Sequence, residues 1–342
     1  MTTSLRPFYR NKRIGSIEAL ALALSVPKST LLSVAEKSDK LYRIAAQELK
    51  SDGSLRQTFD AKPSLKAIQK KIKERLFANV FFPEYLQGSL KGRSPRLNAG
   101  AHINARIAIS EDIQNFFPSV GRQSVCRMWT GLFDFPRDVA EILTSLTLKE
   151  GSVPQGAITS SDVANLVFWD YEPGLVERFL SQGLTYTRYV DDIVVSSAIF
   201  ISKQTQSEIV AAIYSMLRHY SLLPKRSKHE VSTTAGRMTA TKLVINNRVA
   251  LVPELRQNIR AQVFSIERRI ASGERGLEIG RLLLSAASRV GRLNSYHPSE
   301  GGRLKIRLKA LRRIIELENL VASAPAAAGR SDMPIDVAPP WD

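Results

Sequence analysis

The chain has 342 residues, with 49 Lys and Arg against 32 Asp and Glu, for a formal net charge of +17. Hydrophobic residues make up 44% and charged residues 24%, enough apolar side chains for a sizeable core, which excludes wholesale disorder. No stretch approaches about 18 consecutive apolar residues, and residues 1–10 lack a long apolar run, so no spanning helix or secretory signal is visible. The expected location is cytoplasmic, with no membrane partner. The single cysteine, Cys126, excludes an intramolecular disulfide and a Cys-based zinc site and reads as a small buried filler.

In chain order, a strand, turn and strand around Ser51-Asp52-Gly53 lead to a helix over Ser64–Phe77, which starts after Pro63. Ile107–Asp112 alternates like a strand, and Asp112-Ile-Gln-Asn-Phe-Phe-Pro-Ser119 carries it into a turn and helix. Leu184–Val195 is rich in β-branched and aromatic residues and reads as a β-hairpin with Asp191-Asp192 at its tip. Helices follow over Glu254–Arg269 and Leu277–Val290. Beyond them Leu304, Leu308, Leu311 and Ile315 recur at helical spacing among Lys305, Lys309, Arg312 and Arg313, a basic amphipathic helix. The Ala- and Pro-rich end from about Ala322 holds too little apolar surface to order itself and reads as a flexible tail.

The positive charge is unevenly spread: residues 1–99 carry +11, 100–253 only +1, 254–320 carry +7 and 321–342 carry −2. A near-neutral centre between basic flanks suits a catalytic platform with a nucleic-acid backbone gripped from both sides, although solvated helical faces would give the same count. An Asp-Asp pair in a turn is ordinarily turn chemistry, and a strand-end Asp is ordinarily a cap. Together, two acids at a hairpin tip and a third from a neighbouring strand can hold two divalent cations about 3.5–4 Å apart, the arrangement that serves phosphoryl transfer. Hard oxygen ligands and substrate phosphates point to Mg²⁺, with Mn²⁺ as a substitute.

Tyr189-Val-Asp-Asp192 resembles the Tyr-x-Asp-Asp signature of reverse transcriptases, and Asp112-Ile-Gln-Asn-Phe-Phe-Pro-Ser119 resembles their first aspartate motif. Val153-Pro-Gln-Gly-Ala-Ile-Thr-Ser160 with Asn165-Leu166 resembles their Pro-Gln-Gly motif, and Lys50–Arg56 with Pro63, Leu65-Lys66 and Gln69 resembles the fingers of bacterial members. Order and spacing match over about residues 41–320. Asn98-Ala-Gly-Ala-His102 fits the Asn-Ala-x-x-His element of retron enzymes. Their Val-Thr-Gly element appears only as Ala240-Thr241-Lys242, Glu111 replaces an apolar neighbour of the first aspartate, and Ile158 and Ser161 stand where many relatives have proline.

The resemblance implies an α/β (α+β) right-hand polymerase. Residues 1–100 would form an N-terminal helical region and fingers, 101–253 a palm with an antiparallel sheet, 254–320 a helical thumb and 321–342 a tail. Asp112, Asp191 and Asp192 would be catalytic and, with Ile113, would contact metal, Asp192 less directly. Arg56 would meet the triphosphate, Phe117 would exclude a ribose 2′-hydroxyl, and Gln155-Gly156 would approach template or nucleotide. Lys228 would donate a proton to pyrophosphate or lie in a solvated basic loop. Asn98 and His102 would contact RNA, His102 alternatively making a structural hydrogen bond. Arg303, Lys305, Arg307, Lys309, Arg312 and Arg313 would also bind RNA. The implied activity is RNA-directed DNA synthesis from dNTPs, with a structured noncoding RNA as template and primer, an RNA–DNA duplex as product and an effector protein as a further partner, in antiphage defence. A defence-associated polymerase making repetitive or untemplated DNA, and a catalytically silent RNA-binding scaffold, remain as alternatives.

Overall fold

The computed structural model describes residues 4–49, 53 and 55–323, the side chains of 317–323 excepted. The turn residues Lys50–Asp52 and Ser54, and residues 324–342 of the expected tail, lie outside the described residues. The chain divides into two compact units between Ala250 and Leu251, and the first hundred residues belong to the larger one.

In that unit the chain runs through β1 (Phe8–Tyr9), α1 (Ile17–Leu24), α2 (Lys28–Glu36), β2 (Tyr42–Leu49), β3 (Leu55–Ala61) and α3 (Pro63–Arg75). It continues through β4 (Val80–Phe81), α4 (Pro95–Gly100), β5 (Ile107–Asp112), α5 (Phe116–Ser119), α6 (Arg122–Gly131) and α7 (Arg137–Thr147). Next come α8 (Ser160–Leu166), α9 (Glu172–Ser181), β6 (Leu184–Tyr189), β7 (Asp192–Ser197), α10 (Lys203–His219), β8 (Glu230–Thr233), β9 (Thr239–Ala240) and β10 (Leu243–Val244).

The central sheet is antiparallel, ordered β6-β7-β5-β8. Its register sets Asp112 opposite Asp192, and Tyr189 opposite Asp192, so the end of β5 lies beside the tip of the β6–β7 hairpin. Ile107 and Ile109 on β5 and Ile193 and Val195 on β7 are buried, because helices cover the sheet and an apolar strand can be dry only there. Trp129 and Phe133 anchor the core beneath, with ring centroids 4.6 Å apart and Phe77 and Phe135 against them.

The β2–β3 pair carries the segment from Tyr42 to Ala61 and is followed by α3, where Pro63 occupies the first turn. Leu65, Ile68, Gln69 and Ile72 form the buried face of α3 at helical spacing. Gln69 is accommodated there because its Nε2 donates to the Tyr42 hydroxyl at 2.7 Å and the Leu146 carbonyl at 2.9 Å. Cys126, expected as buried filler, is half-buried instead, with its Sγ 3.7 Å from a Glu141 oxygen.

The smaller unit contains α11 (Pro253–Ala271), α12 (Leu277–Tyr296) and α13 (Pro298–Ser323). Ile259, Val263, Ile266 and Ile270 of α11, Ile279, Leu283, Ala286, Val290 and Leu293 of α12, and Leu304, Leu308 and Leu311 of α13 are the buried apolar residues of these helices. α13 runs on to Ser323, into the segment read as tail. No single helix among the described residues is long and apolar enough to cross a membrane.

Candidate active site

Strand β5 ends on Asp112, and the β6–β7 hairpin turns through Val190 and Asp191. Val190 has φ +61°, the positive value a two-residue hairpin turn requires and usually assigns to Gly. The Ile113 N–H donates to the Asp191 carbonyl at 3.0 Å, tying the two acid-bearing segments together beyond the sheet. A cavity of about 720 Å³ opens beside them, lined by Arg56, Asp112, Phe117, Gln155, Asp191 and Lys228, among others.

The acids disturb one another. Burial, and then the Asp112 charge, hold the Asp191 carboxyl above the ordinary range. Asp192 is pushed up to about 7, by burial first and then by the Asp191 charge and a hydrogen bond with Asp112. Lys228 answers part of this crowding: its Nζ donates to Asp112 Oδ2 at 2.5 Å. Burial alone would lower the Lys228 pKa; the Asp112 bond and the three acids more than offset that and raise it.

Carboxylates that must share a proton when alone are relieved by a divalent cation. Among the described residues no three His, Cys, Asp or Glu side chains close into a metal cage. The arrangement still fits Mg²⁺, which takes one or two carboxylates and leaves its remaining positions to water and substrate phosphate. Ile113 is buried and apolar, so only its backbone carbonyl could take part.

Arg56 lies on β3, opposite Glu48, and reaches the same cavity. With the Gln155 amide oxygen turned toward it, the guanidinium donates at 3.1 Å from Nε and 2.7 Å from Nη2. Gly156, expected to let the backbone approach template or nucleotide, is exposed, and its close neighbour within the protein is the backbone of β3. Its φ is +105°, a Cβ there would stand 2.9 Å from the Phe59 carbonyl oxygen, and the Phe59 N–H donates to the Gln155 carbonyl at 2.8 Å. Gly156 therefore sets the Gln155 segment on the strand that carries Arg56. Phe116 is buried, stacked on Phe168 at 5.7 Å, whereas Phe117 is partly exposed at the cavity wall.

Sequence reading missed Lys149, Lys225 and Lys242, which also line the cavity. Lone lysines carry no pattern, so only the fold could gather them. It also left Glu111 unexplained. That buried carboxylate accepts from the Tyr214 hydroxyl at 3.2 Å and lies 2.6 Å from His229 Nδ1, partners that an apolar neighbour would not need.

Two expected RNA contacts are corrected. His102 is buried, with Nδ1 2.7 Å from Ser196 Oγ and Nε2 2.7 Å from Thr187 Oγ1. Both ring nitrogens are engaged across the β6–β7 hairpin, so the structural alternative is the one this geometry supplies. Burial holds the imidazole down to about 4, hence neutral. Asn98 is also buried, and its amide atoms find no hydrogen-bond partner among the described residues. Its helix meets the Ala240-Thr241-Lys242 turn, where Thr241 Oγ1 donates to the Pro95 carbonyl at 3.1 Å. Thr241 and Lys242 both have positive φ, as a two-residue primed turn requires. Arg303, Lys305, Arg307, Lys309, Arg312 and Arg313 are all exposed on α13, Arg307 being paired with Glu267 of α11.

A family model described as reverse transcriptase (RNA-dependent DNA polymerase) matches residues 49–256. The retron Se72 reverse transcriptase of Salmonella heidelberg is 32% identical over 263 residues, covering 76% of this chain and 69% of that protein. The retron Ec48 reverse transcriptase of Escherichia coli is 33% identical over 234 residues, covering 65% and 56%. The retron Ec86 reverse transcriptase of the same species is 26% identical over 258 residues, covering 74% and 78%. With its family's motifs set around one cavity, the chain belongs to the reverse transcriptase family, as an RNA-directed DNA polymerase related to the retron enzymes.

Proposed function

We propose that the chain extends a primer on a dedicated structured noncoding RNA, with Asp112, Asp191 and Asp192 as its catalytic acids and two Mg²⁺ ions as cofactor. The β5–β8 sheet then acts as palm, β2–β3 and α3 as fingers, and α11–α13 as thumb. The observation that carries this reading is that Arg56, Asp112, Phe117, Gln155, Asp191 and Lys228, far apart in sequence, line one cavity.

When bound, such ions lower the pKa of the primer 3′-hydroxyl and neutralise the triphosphate. Asp112 and Asp191 present the oxygens that would hold them. The Arg56 guanidinium, oriented by Gln155, offers a planar fork to phosphate oxygens. Lys228, protonated against Asp112, is placed to give a proton to departing pyrophosphate once that bond opens. The Phe117 ring stands at the wall where a nucleotide sugar would pack, favouring dNTPs over ribonucleotides.

The same proposal includes an antiphage setting in the cytoplasm, an RNA that is both template and primer, an RNA–DNA duplex product and an effector protein partner. Primer extension with Mg²⁺ tests the assignment: Asp191→Ala or Asp112→Ala is expected to abolish DNA synthesis while RNA binding stays near normal. A variant keeping more than about one-twentieth of wild-type activity would place the ions elsewhere.

A further inference from the structure

An arginine inside a strand is ordinarily a surface residue, because burying a guanidinium strands five donors and a charge. Arg188 of β6 is wholly buried and wastes none of them. Nε donates to Glu172 Oε1 at 2.6 Å, and Nη2 donates to Glu172 Oε2 and the Asn165 carbonyl, both at 2.9 Å. Nη1 donates to the Val190 carbonyl at 3.0 Å and the Ala164 carbonyl at 3.4 Å. The guanidinium also lies over the Phe168 ring, 4.8 Å from its centre. Glu172 is completed by the Tyr186 hydroxyl at 2.7 Å.

The bond to Val190 reaches the catalytic turn. Val190 is β-branched yet has φ +61°, a conformation that such residues resist and that persists only where neighbours over-determine it. Its surroundings do so. Residues Tyr85 to Gly88 run behind the end of β6: the Arg188 N–H donates to the Tyr85 carbonyl, and the Gln87 N–H to the Arg188 carbonyl, each at 2.8 Å. Gly88 leaves the space Val190 fills, since a Cβ there would lie 2.4 Å from the Val190 nitrogen. Asn165 Nδ2 donates to the Gly88 carbonyl at 2.8 Å, and its own carbonyl accepts from Arg188. Arg188 thus joins α8, α9 and the turn, one residue away from Asp191.

We infer that Arg188 is the positioning residue that holds Val190 at positive φ through its carbonyl and thereby aims Asp191 into the cavity and fixes Asp192 beside Asp112. This rests on the assignment of those acids as catalytic. Lysine cannot replace the fork, since its ammonium has three donors and no plane. Arg188→Lys is therefore expected to lower kcat by about tenfold or more, the scale of a displaced catalytic group, with the KM for dNTP within about twofold and RNA affinity unchanged.

Glycine takes positive φ without help, so adding Val190→Gly to Arg188→Lys should recover kcat by about threefold or more relative to Arg188→Lys alone. A folded Arg188→Lys protein with wild-type kcat, or a deficit that Val190→Gly leaves untouched, would overturn the inference. If Arg188→Lys does not fold, the combined Arg188→Met, Glu172→Leu, Tyr186→Phe protein removes the whole polar group without leaving a buried charge. It should fold and remain slow; wild-type kcat there, or loss of fold in both proteins, would assign the network to stability alone. Asp191→Ala measured beside them separates the claims: activity there sinks the catalytic assignment, whereas inactivity there with fully active Arg188 variants sinks only the positioning role.

Discussion

The adjacent phenylalanines at 116 and 117 have different roles. Phe116 is buried against Phe168, so Phe116→Ala should destabilise by about 3–5 kcal/mol, read as a lower unfolding midpoint in denaturant. Phe117 faces the cavity, so Phe117→Ala should raise ribonucleotide incorporation relative to deoxynucleotide in a protein that still folds. Unchanged sugar discrimination in that protein would move the gate to another wall residue. The acids make a separate prediction. Asp192, held up to about 7 against an ordinary 3.8, keeps a proton in the folded state that the unfolded chain has already lost. Between these values this carboxyl binds more protons in the folded state, so without divalent ions its contribution to stability falls as pH rises from about 4 to 7. Mg²⁺ should therefore raise the melting temperature more at pH 8 than at pH 5, and Asp192→Asn should reduce that difference. An equal Mg²⁺ shift at both pH values would contradict the cation site.

The elements around the site differ in how far the sequence disclosed them. The β6–β7 hairpin is legible because β-branched and aromatic residues run up to two acids and away again, and the Leu65, Ile68, Ile72 spacing announces α3. The gathering of Asp112 with Asp191 followed from motif order rather than from local pattern. What stayed hidden were long-range pairings of polar residues. Arg188 looks like a surface strand residue until Glu172 of α9 is brought beneath it, and His102 looks available until Ser196 and Thr187 close on both its nitrogens. Gly156 was legible as a glycine that something approaches closely, but not that the neighbour is Phe59. Each depends on tertiary contact between segments whose own sequences carry no trace of the partner.

At the scale of the whole molecule, the positive charge is unevenly spread. Residues 100–253, which hold the acids, are nearly neutral, and 254–320 carry +7. Phosphate contacts supply affinity and salt dependence, while selectivity for a folded RNA needs stem shape and loop bases. Replacing Arg303, Lys305, Lys309, Arg312 and Arg313 of α13 by Gln should weaken cognate RNA binding. It should also flatten the log–log salt dependence by about 0.7–0.9 for each phosphate no longer neutralised. Arg307 is left out because Glu267 already neutralises it. Extension of a generic annealed primer–template should suffer less, and unchanged RNA affinity at every salt concentration would make α13 a solvated face.

The central claim, that these acids copy a dedicated RNA into DNA, is tested most directly by sequencing the nucleic acids that copurify with the wild-type and Asp191→Ala proteins. One RNA species is expected with both proteins, and DNA complementary to part of it with the wild type alone. DNA with no complement in that RNA, or DNA equally abundant with Asp191→Ala, would contradict the account.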